Sequence, residues 1–183
     1  MASNERLNNE IQVGILTISD TYYHDSQGGN QGKGKHLRKI IEGDKIFHGR
    51  VAYEELVPDD RKMITDTLKN WCDVRKLELV LTSGGTGFTE RDVTPEATKD
   101  IMEKEAPGMA IAMINGSLLI TPLAMLSRLV CGIRGSTLII NLPGSPKGSE
   151  ECLRIVSPSI PHAIDLLRGC RPQVSKVHRE LQE

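Results

Sequence analysis

The stretch that most limits how this chain can fold runs from Leu79 to Thr98. An apolar run, Leu79-Val80-Leu81-Thr82-Ser83, passes into Gly84-Gly85-Thr86-Gly87, then a short charged loop, then Thr94-Pro95. This reads as a buried strand, a glycine turn and a helix start, with Thr94 as N-cap and Pro95 at the first helical position. Gly84, Gly85 and Gly87 allow positive φ and close approach of the backbone to a neighbour. Successive N–H groups in such a turn form a concave anion site. A carboxylate, Asp92, stands just before the helix. Two readings are open: a tight strand-to-helix turn, or a cradle of amides and one carboxylate that holds a phosphate with a divalent cation.

The pattern occurs twice. Leu138-Ile139-Ile140-Asn141-Leu142 is another apolar strand, followed by Pro143-Gly144-Ser145-Pro146-Lys147-Gly148. Ser145 is placed to cap a helix that has Pro146 at its first position, and helix N-termini suit phosphate. A third β-branched run, Gln12 to Ser19, ends at Ser19-Asp20. In open α/β sheets, ligands collect at the carboxyl ends of strands. Gly14 within it predicts another backbone or a ligand close by. Arg50–Val57 and Leu77–Thr82 are read as further strands, and Pro58 stops the first of these. Asp59 or Asp60 is placed to cap a helix over 61–72, where Met63, Ile64, Thr67, Leu68 and Trp71 form one stripe.

Further helices are expected over 36–42, from Thr94 through about Glu105, and from Met109 to Asn115. Pro122 opens a helical turn in a stretch, 117–134, with little periodicity. The segment from Cys152 to Leu167 shows one apolar face, kinked or split by Pro158 and Pro161. Methionines 102, 109, 113 and 125 are read as core or interface packing. Residues 1–10 and the tail from Gly169 are polar and read as loose ends. Strands alternating with helices predict a three-layer αβα domain with a mostly parallel sheet, one domain with its core over about 12–168.

Several function classes are excluded or left without support. The 183 residues carry a formal net charge of −1 and no block of like charge, which argues against a nucleic-acid partner. Six aromatics, scattered along the chain, do not build a base-stacking platform. Cys72, Cys131, Cys152 and Cys170 lack metal-ligand spacing and read as small buried hydrophobes in a reducing compartment. No apolar run reaches the about 18 residues of a membrane span, and residues 1–12 show no signal-peptide pattern, so a cytoplasmic protein is expected. Gly29-Asn30-Gln31-Gly32-Lys33-Gly34-Lys35 fits the first part of a P-loop, but His36 stands where a hydroxyl should follow. The preceding strand also ends too far upstream, at Ser19, for the amides to cradle a phosphate. Of the histidines, His162 reads as structural, and His24, His36, His48 and His178 carry no assigned role.

Leu81-Thr82-Ser83-Gly84-Gly85-Thr86-Gly87 followed by Arg91-Asp92-Val93-Thr94-Pro95-Glu96-Ala97 resembles the signature of the molybdenum-cofactor biosynthesis domain. This is the family of molybdopterin adenylyltransferases, and the chain looks most like the N-terminal G domain of gephyrin. Trp71-Cys72, Glu105–Ala110, Met125–Arg128, Cys131–Gly135, Ile139–Ser145 and Pro161–Leu167 also resemble that domain, so the likeness covers about residues 12–180.

The resemblance implies a homotrimeric enzyme that joins molybdopterin and ATP. The terminal phosphate of molybdopterin attacks the α-phosphorus of ATP, with Mg2+ as the required cation. It implies that Thr82, Ser83, Gly84, Gly85, Thr86 and Gly87 hold the pterin and its phosphate, and for Ser127 two readings stay open, contact with the pterin or the cap of a turn. Ser19, Asp20, Pro143, Gly144, Ser145, Pro146 and Lys147 are assigned to the nucleotide, and Asp59 and Asp92 to magnesium and catalysis. A molybdenum-insertion domain would act downstream. One departure stands out: the first loop reads Gln31-Gly32-Lys33-Gly34, where the family usually has Asp-Lys/Arg-Ser-Gly, so catalysis or loop closure is expected to be altered. Two alternatives remain open here. One is a gephyrin-like trimerising scaffold module that binds pterin with little catalysis. The other is a related domain that uses a nucleotide-like ligand in another reaction, such as pyrophosphate cleavage.

Overall fold

Val13, Ile15, Leu79, Leu81, Leu138 and Ile140 bury one face of a sheet, while Leu16, Ile18, Val80 and Ile139 bury the other. Apolar side chains on both faces demand cover on both, which is why these strands read as continuous hydrophobic runs. The computed structural model describes residues 10–25 and 35–169. Outside them lie most of the polar N-terminus, the tail beyond Gly169, the altered Gln31–Gly34 run and, except for Lys35, the Gly29–Lys35 near-match to a P-loop.

The chain runs β1 (Ile11–Ile18), α1 (Asp20–Asp25), α2 (Lys35–Arg38), β2 (Gly49–Val57), α3 (Arg61–Lys69), β3 (Leu79–Ser83) and α4 (Thr94–Lys99). It continues through β4 (Lys104–Glu105), α5 (Pro107–Leu118), β5 (Cys131–Arg134), β6 (Thr137–Leu142), α6 (Pro146–Val156) and α7 (Ile160–Leu167). The six strands lie in the order β2-β1-β3-β6-β5-β4. β2, β1, β3 and β6 are parallel, while β5 and β4 are antiparallel additions at one edge. Helices α3 and α4 cover one face, where Ile64, Leu68, Ala97 and Ile101 are buried. Segments from α2, α5, α6 and α7 cover the other, through Leu37, Met113, Leu153 and Ile164. The expected three-layer αβα architecture is therefore present.

Register sets the site. Ile18 pairs with Val57, Thr17 with Ser83, and Ser83 with Leu142. The carboxyl ends of four parallel strands are thus level, and the segments that follow them meet at one edge of the sheet. β1 sits between β2 and β3, so the chain reverses direction across the sheet there, the place where doubly wound sheets open a crevice.

Several expectations are corrected. The helix begun at Thr94 ends at Lys99 instead of about Glu105, because the backbone beyond it is taken up by the sheet edge: Glu103 N–H donates to Ile133 O at 2.8 Å. Helix α5 is longer than expected, Pro107–Leu118, and β5 was not foreseen because its four residues include Gly132 and show no alternation. The helix read over 61–72 ends at Lys69 in a π-type turn over Asn70–Val74, and the one over 36–42 likewise gives way to a π-type turn at Lys39–Gly43. Within its apolar stripe, Met63 is exposed while Ile64, Leu68 and Trp71 are buried. Pro122 does open a 3-10 turn, Pro122–Leu126, and the final helical segment is split as its prolines require. Gly14 faces side chains where another backbone or a ligand was expected: a Cβ there would lie 2.6 Å from the Trp71 ring and 2.7 Å from Leu77. The absent side chain makes room for a buried indole. Cys72, Cys131 and Cys152 are free and buried, and burial pushes the Cys72 thiol up to about 11. No helix among the described residues is long and apolar enough to cross a membrane.

Candidate active site

The first glycine turn is shaped by its neighbours. Gly84 has φ +112° and Gly85 φ +60°, so both occupy conformations that disfavour a side chain. A Cβ on Gly84 would lie 2.1 Å from the Ile18 carbonyl oxygen, so the turn presses directly on the end of β1. On the other side, Gly84 N–H donates to Leu142 O at 3.3 Å and Ser83 Oγ donates to Pro143 O at 3.1 Å. A Cβ on Gly144 would lie 3.2 Å from the Gly84 Cα. The two glycine turns are therefore in contact, joined through backbone that only small residues permit. Thr82 lies beneath them, fully buried, with its hydroxyl accepting from Asn141 Nδ2 at 2.9 Å. It contributes the position of the strand end. Asn141 Nδ2 also donates to Thr98 Oγ1 at 3.0 Å, which ties helix α4 to β3 and β6.

Asp59 and Asp60 divide the two roles that the sequence left open. Asp60 is the N-cap of α3, its carboxylate accepting from Met63 N at 2.8 Å. Asp59 turns toward the glycine turn instead: its Oδ1 lies 2.9 Å from where a Gly85 Cβ would be. Its Oδ2 accepts from Asp20 N at 2.9 Å, and its own N–H donates to Asp20 Oδ1 at 3.0 Å. This reciprocal pair locks the ends of β1 and β2 together. Arg91 then grips Asp20 with Nε and Nη2, each at 2.9 Å, bringing the loop after β3 onto the same point. The Arg91 hydrogen bond holds the Asp20 carboxyl below its usual range. Burial pushes Asp59 above the usual range, and the negative charges of Asp20 and Asp92 add to the rise.

Asp92 flanks the turn on its far side. Its Oδ2 lies 3.0 Å from the position of a Gly87 Cβ and accepts from Thr89 N at 2.9 Å. The structure thus brings Asp20, Asp59, Asp92 and Ser83–Gly87 to one crevice. Ser19 joins them at the end of β1, its N–H bonded to Val57 O at 3.0 Å. Thr94 is not the N-cap expected of it. Helix α4 already includes it, Val93 precedes the helix without a side-chain cap, and Thr94 N–H donates to Gly85 O at 3.0 Å. That bond turns the Thr94 hydroxyl inward, where it is buried beside Gly85 without a hydrogen-bond partner.

Ser145 caps α6, accepting from Gly148 N at 3.2 Å, and Lys147 projects into solvent from the first turn. Pro143, Ser145 and Ser127 line a cleft of about 190 Å3 beside the second turn. Ser127 ends the 3-10 turn, with its N–H donating to Ala124 O at 3.0 Å. Gly144 and Pro146 complete the turn between β6 and α6. His36 reaches α6 from the other face, its Nε2 at 2.7 Å from Ser149 Oγ.

Two residues important to this geometry carried no assigned role in the sequence. Asn141 is one; a polar residue inside Ile-Ile-Asn-Leu was the available signal. Arg128 is the other. Its Nε donates to Gly87 O at 2.7 Å, its Nη2 to Asp92 O at 2.5 Å, and Nη1 pairs with Glu96. The signal was a charged residue in the apolar company of Met125-Leu126-Ser127.

A divalent cation fits the donor set in a particular way. Among the described residues no group of three or more His, Cys, Asp or Glu side chains forms a metal cage. Two carboxylates beside an amide turn suit a hard cation such as Mg2+ that takes its other ligands from phosphate oxygens and water.

The chain is similar to known proteins in sequence and in fold. A family model described as a probable molybdopterin binding domain matches residues 14–162. A molybdopterin adenylyltransferase of Helicobacter pylori is 40% identical over 170 residues, covering 91% of this chain and 93% of that protein. The molybdenum cofactor synthesis protein cinnamon of Drosophila melanogaster is 41% identical over 94% of this chain, which spans only 28% of its length. The crystal structure of the molybdopterin biosynthesis enzyme MoaB from Thermus thermophilus superposes with a TM-score of 0.79 at 45% identity, covering 87% of this chain and 97% of that one. With a matched core that contains both glycine turns and both flanking aspartates, the chain belongs to the molybdopterin-binding domain family of molybdenum-cofactor biosynthesis.

Proposed function

We propose that this chain is a molybdopterin adenylyltransferase. The observation that carries the reading is the meeting of two glycine turns, after β3 and β6, with Asp59 and Asp92 on either side of the first. Joining two phosphorylated substrates requires two anion sites in contact, and this geometry supports that arrangement. An oxygen of the terminal phosphate of molybdopterin forms a bond to the α-phosphorus of ATP. The bond from that phosphorus to the bridging oxygen breaks, and pyrophosphate leaves.

The residues divide the work as follows. Backbone amides of the turn Ser83–Gly87 hold the pterin phosphate, and Ser127 lies on the pterin side. The turn Pro143–Lys147, with Ser19 and Asp20, holds the nucleotide, helped by the positive end of the α6 dipole. Asp59 and Asp92 are the residues that would hold the cation, beside the first turn. Bound there, Mg2+ would supply charge neutralisation to the transferring adenylyl group. No side chain is needed as general base, because a phosphate monoester is already ionised near neutral pH.

A homotrimer is part of the proposal. Leu119 is 90% exposed, and Leu123, Met125 and Ile120 beside it are more than half exposed, an apolar surface that favours burial against a second copy. So is a cytoplasmic location, in keeping with free buried thiols, and delivery of the product to a downstream molybdenum-insertion domain.

The test is to incubate the protein with molybdopterin, ATP and magnesium and follow adenylylated product. Asp92→Asn is expected to retain pterin binding and to slow transfer at least tenfold. A correctly folded protein that makes no product above background overturns the proposal, and an unchanged rate in Asp92→Asn overturns the role given to Asp92.

A further inference from the structure

The loop from Gly87 to Asp92 carries Asp92 and Arg91 to the crevice, yet it has little secondary structure of its own. Its internal support consists of Asp92 N–H donating to Thr89 O at 3.1 Å and of Thr89, whose N–H and hydroxyl donate to the Asp92 carboxylate at 2.9 and 2.5 Å. Such a loop would drift on its own. Arg128 closes it from outside. One guanidinium spans both ends, donating from Nε to Gly87 O at 2.7 Å and from Nη2 to Asp92 O at 2.5 Å. Its third nitrogen is held by Glu96 in α4, so the fork is anchored to a helix while it grips the loop. The backbone adds a further tie, Arg128 N–H to Thr86 O at 2.9 Å.

We infer that Arg128 is a positioning residue: it staples the two ends of the 87–92 loop and so sets where the Asp92 carboxylate and the Arg91 guanidinium stand at the crevice. The planar fork matters as much as the charge. A lysine ammonium at the same place can satisfy one of the two carbonyls, not both in fixed geometry. Arg128 touches neither substrate in this assignment. It acts through Asp92, whose placement within a fraction of an ångström governs transfer. The Glu96 carboxyl reports the same contact: burial would raise it, but the hydrogen bond from Arg128 holds it below its usual range.

The kinetic part of this inference rests on the adenylyl-transfer reading; the structural part does not. The experiment therefore has two arms, run on the wild type, Arg128→Gln and Arg128→Lys. Hydrogen exchange followed by mass spectrometry reads the peptides over 86–96 and, as an internal reference, those over β1, β3 and β6. In Arg128→Gln, exchange over 86–92 is expected to rise about tenfold or more while the strand peptides stay unchanged, with Arg128→Lys in between. Transfer rates normalised to the folded fraction are expected to show kcat down at least tenfold in Arg128→Gln with KM for ATP within about threefold, as for a group that acts in the transition state and not in ground-state binding. Unchanged exchange over 86–92 in either folded variant overturns the staple. Loosened exchange with an unchanged kcat overturns the positioning role. If the wild type itself transfers no adenylyl group, the functional proposal has failed and the exchange arm alone decides whether Arg128 sets the loop.

Discussion

Gly85→Ala probes the turn where its backbone, Asp59 and helix α4 meet. At φ +60° an alanine carries roughly 1–2 kcal/mol of left-handed strain. Its Cβ would lie 2.3 Å from Thr94 Oγ1 and 2.9 Å from Asp59 Oδ1. Lengthening the first contact to the 3.0 Å below which real Cβ atoms essentially never approach needs a shift of about 0.7 Å. Thr94 is fully buried and its backbone is bonded to Gly85 O, so the adjustment must come from the turn itself. Overpacking of this kind adds about 1–3 kcal/mol, for a total of about 2–5 kcal/mol. At roughly 2–4 °C per kcal/mol for a chain of this size, Tm is expected to fall by about 4–20 °C. The same displacement moves the turn against Asp59, and a misplacement of this order slows transfer by about 100-fold.

The control is Thr94→Ala, which deletes the hydroxyl that the new Cβ would strike. That oxygen is buried without a hydrogen-bond partner, so its removal alone is expected to change stability by less than about 1 kcal/mol, the lost methyl offset by the lost orphan group. In the double variant, at least about 1 kcal/mol of the Gly85→Ala loss should return, measured as a coupling free energy from urea unfolding of all four proteins. Strict additivity, or a Gly85→Ala loss below about 1 kcal/mol, refutes the steric reasoning.

Four further outcomes are expected. Because the folded pKa of Asp59 lies above its ordinary value, its ionisation weakens the fold as pH rises through that interval; Asp59→Asn should raise Tm at pH 7, with the gain fading as pH falls below the usual carboxylate range, seen by thermal melts across pH. The Arg91 charge lowers the Asp59 pKa, so in Arg91→Gln the acid limb of the rate profile should move to higher pH; a limb that stays or moves down excludes Asp59 as the group titrated. Leu119→Glu together with Leu123→Glu should convert an assembled protein into monomers by light scattering without lowering far-UV circular dichroism, since both side chains are largely exposed within one chain. Asn141→Ala should cost about 2–3 kcal/mol in urea unfolding, because it leaves the buried Thr82 and Thr98 hydroxyls without their shared donor.

The strands that carry the site were legible because each is apolar on both faces and ends at glycine, proline or aspartate. Leu79–Ser83 and Thr137–Leu142 fall within a residue or two of their expected bounds. The edge strands were not. Lys104–Glu105 and Cys131–Arg134 are short and carry charges or glycine; Cys131–Arg134 is a strand because β6 offers it an unpaired edge, and Lys104–Glu105 because β5 then offers the next. The end of α4 was misplaced for the same reason: local periodicity continues past Lys99, but hydrogen bonds to β5 take the backbone away from the helix. At the site, Asp92 was readable from its place beside the glycine turn, whereas Arg128 was not, since its partners lie 32 to 41 residues away.

By itself, the sequence determined the layering and the punctuation. Two-sided apolar runs require a covered sheet, and Gly-Gly-Thr-Gly and Pro-Gly-Ser-Pro require turns that enter helices, because these depend only on local sterics and burial. It also offered Asp59 and Asp60 as equal candidates for one cap. Tertiary structure decided between them: Asp60 accepts from Met63 N, which leaves Asp59 to pair with Asp20 and face Gly85. It also decided that the turns after β3 and β6 touch, that Arg91 is held at Asp20, and that Arg128 closes the Asp92 loop. Each of these is a meeting of segments distant in the chain, set by strand order and register, and no local pattern of residues encodes which strand ends will lie side by side.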